Sequence, residues 1–81
     1  MNREEFKKEL KQFEGEESIT IVTDEGEYEV VDGESFVGGF PNTYMSELLG
    51  NVAYDSLESA GLAVYDYIVN ELGETVEEVT F

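Results

Sequence analysis

The stretch from Asp55 to Leu72 constrains the rest of the chain most. Placed at 3.6 residues per turn, Leu57, Ala60, Gly61, Val64, Ile68 and Leu72 form one apolar stripe, which Leu62, Tyr65 and Val69 widen on one side. Only Ser59, Asp66 and Asn70 remain for water. A surface helix has a broader polar face, so this one is expected to pack on two sides and act as the spine that the other elements cover. Asp55 followed by Glu58 has the spacing of a capping box at its start, and Gly73 supplies a left-handed stop.

A chain of 81 residues has room for one small core, because a chain this short buries only about 60 to 65% of its extended surface on folding. Residues 1–81 are therefore expected to form a single compact acidic domain of modest stability. Leu, Ile, Val and Phe supply 23 of 81 residues, above the roughly 20% below which strongly charged chains stay disordered. Cysteine and histidine are both absent. Their loss removes disulfides, thiol nucleophiles, the usual zinc ligands and the commonest general base. No apolar run nears the about 18 residues of a spanning helix, and the first residues are charged and amphipathic without a signal-peptide core. A cytoplasmic protein with no membrane partner is expected.

Charge is the outlier. Arg3, Lys7, Lys8 and Lys11 stand against 20 acids, and from Gln12 to Phe81 there is no cation at all. Local ion pairs cannot offset such an excess, and the self-repulsion costs stability.

Taken in order, Asn2 to Glu14 reads as a first helix, with Asn2 as N-cap, Glu4 and Glu5 at its positive end and the lysines nearer its negative end. Phe6, Leu10 and Phe13 form its buried stripe, Glu4 and Glu5 have the spacing to pair with Lys8, and Gly15 ends it. Ser18 to Thr23 and Glu27 to Val31 alternate as strands, joined by Asp24, Glu25 and Gly26 as a three-residue hairpin loop with glycine in the left-handed position. Tyr28 and Val30 then face the helices, and Glu27 and Glu29 face out. Asp32 and Gly33 turn the chain beside Glu34. Ser35 to Pro41 reads as a strand fragment giving way to a loop, with Phe36 and Phe40 closing one end of the core. Asn42 or Thr43 caps a short helix through Leu49, stopped by Gly50. Thr75 to Phe81 reads as a third strand, with Val79 and Phe81 on one face and Glu78 and Thr80 on the other. The expected fold class is α+β: a small antiparallel three-stranded sheet with helices on one face, in the order α-β-β-α-α-β.

No enzyme is expected. Among so many carboxylates, separations of about 5 to 10 Å, at which glycosidases place their pair, arise by chance. Ser18, Ser35, Ser46, Ser56 and Ser59 have no histidine or lysine that the sequence places near them. Gly38 and Gly39 lack the spacing of a phosphate-binding loop. The acids around Gly26 and Gly33 do not follow a calcium-loop pattern, so neither a cofactor nor a metal is expected.

What remains is charge density. A compact chain of this length is about 30 Å across, so sixteen net charges fall roughly one per 1.9 Å, against about one per 1.7 Å of axis for duplex DNA. Outward residues on one strand, such as Glu27 and Glu29, lie about 6.5 to 7 Å apart, a ladder that a basic groove can grip as it grips a phosphate backbone. In size, acidity and scarcity of basic residues the chain resembles the DNA-mimic inhibitors that phages and mobile elements direct against restriction, CRISPR and DNA-repair proteins. The resemblance implies competitive occupation of a Lys/Arg-lined nucleic-acid site on a partner protein, with no direct nucleic-acid binding, by a monomer or homodimer. The candidate contact residues are Asp24, Glu25, Glu27, Glu29, Asp32, Glu34, Glu58, Asp66 and Tyr67, the tyrosine as an anchor.

Two other functions fit the same composition. An immunity protein or antitoxin neutralising a basic partner would centre its acids on an apolar or aromatic pocket filler. An acidic domain with no inhibitory role, halophilic cases included, would spread its acids evenly and gain stability steeply into molar salt.

Overall fold

The computed structural model describes residues 1–35, 39 and 41–81. Helix α1 is Arg3–Lys11 and helix α2 is Leu57–Tyr67. The strands are β1 Ser18–Thr23, β2 Glu27–Asp32, β3 Tyr44–Met45 and β4 Val76–Thr80. They form one antiparallel sheet in the order β3-β2-β1-β4.

The first helix begins as its sequence dictates. Asn2 and Glu5 complete a reciprocal capping box, each side chain accepting the other's backbone N–H. From α1, Phe6 and Leu10 reach the core; Ile19 and Ile21 from β1, Val30 from β2, Val76 and Val79 from β4, and Ala60, Val64 and Ile68 from the second helix meet them. Both helices therefore lie on one face of the sheet, where Tyr28 also packs against the core. The helices cross closely at Gly61, where a Cβ would come within 2.9 Å of Leu10 Cδ1. The Phe6 and Tyr65 rings meet at 4.8 Å between centroids, and the Tyr65 hydroxyl donates to the Met1 carbonyl at 3.0 Å.

The spine helix forms, with differences at both ends. Its N-cap is Ser56, whose Oγ accepts the Ser59 N–H, and not the expected Asp55–Glu58 box. Past Tyr67 the helix widens into a π-helical turn, Ile68–Leu72, before Gly73 stops it with φ at 69°. Widening rotates the last residues: Ile68 is fully buried, but Val69 and Leu72, both assigned to the apolar stripe, are 39% exposed.

Among the described residues, four strands replace the three expected. The helix expected from Asn42 or Thr43 to Leu49 does not form. Tyr44 and Met45 instead pair with Asp32 and Val31, Tyr44 bridges Tyr54, and only Glu47–Leu49 makes a 3-10 turn. The element order becomes α-β-β-β-α-β, and the α+β class stands. In the β1–β2 hairpin Gly26 has no positive φ. The turn is closed by Thr23, whose Oγ1 accepts the N–H groups of Glu25 and Gly26. Ser35 belongs to a 3-10 turn, Gly33–Ser35, and the core role expected of Phe36 and Phe40 lies outside the described residues.

A candidate interaction face on the open side of the sheet

Pairing register decides which side chains share the uncovered face. Val22 pairs with Glu27 on one side and Glu78 on the other; Thr20 pairs with Glu29 and Thr80. Partners in an antiparallel register point the same way, so these side chains stand together opposite the helices. Glu27, Glu29 and Glu78 are exposed. Glu27 and Glu29 lie about 7 Å apart along β2, and Glu78 stands two strands across, about 9.5 Å away. Toward β3 the face closes, with Val31 half-buried and its partner Met45 only 2% exposed.

A bulge brings Glu78 here. The β1–β4 register slips between Val22 and Thr23, so that Val76 and Val79 both face the core with Glu77 and Glu78, exposed, between them. The outward direction of Glu78 is legible from alternation; the bulge is not.

Six of the nine candidate residues fall along β2 and its turns. Asp24 and Glu25 form the hairpin at one end, where the Asp24 carboxylate accepts the Thr75 N–H at 3.0 Å and ties the turn to the start of β4. Glu27 and Glu29 follow on the strand. At the far end Asp32 accepts the Glu34 N–H at 2.8 Å, which fixes that turn and leaves Glu34 exposed.

The other three lie on α2, away from this set. Asp66 accepts from the Arg3 guanidinium through two bonds, at 3.0 and 3.3 Å, and this pairing holds the guanidinium pKa above its ordinary value, hydrogen bonding first and charge second. Glu58 meets Lys7 at 3.7 Å. Arg3 and Lys7 thus bind across to α2, in place of the pairing within α1 expected for Lys8. Tyr67 is 36% exposed at the end of α2, remote from the strand residues.

Between the edge of β2 and the 3-10 turn lies a cleft of about 600 Å³, bounded by Glu27, Glu29 and Glu47 and by Tyr28, Val31 and Leu48. Glu47 was missed as a site residue because its position depends on the short strand before it. Below the cleft the Tyr28 hydroxyl bonds the Glu74 carboxylate, which also accepts from Thr23 Oγ1 at 2.7 Å. The phenol pKa is raised, chiefly by that hydrogen bond and then by burial.

Among the described residues no group of three or more Asp or Glu is placed to hold a metal ion, and no helix is long and apolar enough to cross a membrane. Comparison with protein-family models, with curated proteins and with solved structures finds no match.

Proposed function

We propose that the protein is an inhibitor that occupies the basic nucleic-acid site of a partner protein, presenting carboxylates where phosphates would lie. One observation carries this: the charges separate by layer. All four cations sit on α1, and two of them face α2, whereas the open sheet face bears Glu27, Glu29 and Glu78 and no cation. A cationic groove approaching the sheet meets only negative charge, which steers association and makes it salt-sensitive. Scale supports the same function. The long axis is 33 Å, near the 34 to 36 Å of one duplex turn, and sixteen net charges over it average one per about 2 Å.

A second function has an observation of its own. The cleft beside β2 surrounds Tyr28, Val31 and Leu48 with Glu27, Glu29 and Glu47, a pattern suited to neutralising a basic partner through one inserted side chain.

A pull-down from lysate separates the two. Under the first, the proteins retained at low salt are nucleic-acid-binding, are released by a few hundred millimolar salt, and are displaced by duplex DNA. Replacing Glu27, Glu29 and Glu78 together with Gln weakens retention far more than replacing Glu14 and Glu71, two acids elsewhere on the surface. Retained partners that duplex DNA fails to displace would favour the second.

A further inference from the structure

The edge of β2 defines the partner more sharply. Gly26 accepts the Thr23 N–H at 2.8 Å, and Glu17 accepts the Asp32 N–H at 2.7 Å. Alternation between these bonded pairs makes Ile21 with Tyr28, and Ile19 with Val30, the bonded pairs between them. The N–H and C=O groups of Glu27 and Glu29 therefore point away from β1. On that side β3 reaches only Val31 and Asp32, and among the described residues no strand pairs with Glu27 or Glu29 there. The cleft of about 600 Å³ opens beside them.

We infer that this free edge accepts an extended, Lys- or Arg-bearing segment of the partner as an added strand. Main-chain bonds at Glu27 and Glu29 supply affinity. Alternation sends every second side chain of the incoming strand toward the Glu27 and Glu29 carboxylates, and the others toward Tyr28 and Leu48. A second copy of this chain is a poor occupant: it brings a net charge of −16, and its own β2 and the edge strand β4 carry glutamates. The inference takes only the sign of the partner's charge from the proposed function.

Two synthetic peptides test it on the isotope-labelled protein. One alternates lysine with threonine over nine residues; the other has the same sequence with its backbone amide nitrogens methylated, so that its charge is the same but its donors for strand pairing are lost. The first binds about tenfold more tightly, the gain from two or so net backbone bonds, and slows hydrogen exchange at the Glu27 and Glu29 amides. Glu29→Pro removes an outward N–H without breaking a β1–β2 bond, and it narrows the difference between the peptides. Equal binding of both peptides by the unaltered protein, without slowed exchange, overturns the edge inference while leaving the charged face standing. Failure of both to bind overturns the two together. Should Glu29→Pro not fold, the peptide comparison on the unaltered protein decides.

Discussion

The Tyr28 hydroxyl lies 2.9 and 2.8 Å from the two carboxylate oxygens of Glu74, joining the second strand to the segment that follows the π-helical turn. A phenol donates to this carboxylate, but a phenolate would face it as a like charge, so folding favours the protonated ring. Its folded pKa is therefore raised above 10.0. The stability from this bond is complete below about pH 10 and is lost as pH rises through the higher folded value. Absorbance or NMR titration is expected to find Tyr28 ionising later than a free tyrosine. Tyr65 is late as well, because burial and then Asp66 raise it. Glu74→Gln should bring Tyr28 down and leave Tyr65 high. A Tyr28 that titrates early in the unaltered protein would refute the contact.

The widened end of the second helix makes a separate prediction, because it assigns opposite weights to two residues of one apolar stripe. Ile68 is fully buried and Leu72 is 39% exposed. Ile68→Ala is expected to cost about 2 to 5 kcal/mol, enough to unfold much of so small a domain, whereas Leu72→Ala should cost about 1 kcal/mol or less. Chemical denaturation of both variants checks this. Equal losses would mean that the helix runs on as a regular α-helix and buries both.

These two residues also mark how far the sequence reaches. Period-2 alternation placed Ile19, Ile21, Tyr28 and Val30 on the helical side and Glu27 and Glu29 opposite, because a strand has only two faces and one of them must be apolar. The Asn2 cap and the Gly50 and Gly73 stops were legible for a similar reason, since each depends on a side chain or a φ value within one turn. Tyr44 and Met45 were not. Two residues are too few for any period, and their pairing is imposed by β2 across a loop. Glu58 and Asp66 were misplaced for a different reason. Their partners Lys7 and Arg3 are more than fifty residues away, and only the antiparallel packing of the helices brings them together. The candidate face was thus visible along β2, while its extension to Glu78 and Glu47 required the sheet.

Salt provides the last prediction. At about 10 mM the screening length is about 30 Å, comparable with the 33 Å long axis, so the acids repel one another across the whole molecule. By about 150 mM it has fallen to about 8 Å, and most of that repulsion is gone. The two ion pairs between the helices weaken over the same range, but exposed pairs contribute about 0 to 1 kcal/mol each, too little to reverse the trend. Tm is therefore expected to climb between 10 and a few hundred millimolar sodium chloride and then to flatten, as followed by circular dichroism. A curve that keeps rising steeply to several molar would assign the acidity to life in brine and remove the reason for a cationic partner. A curve that is flat from the start would mean the carboxylates lie too far apart to form a face at all.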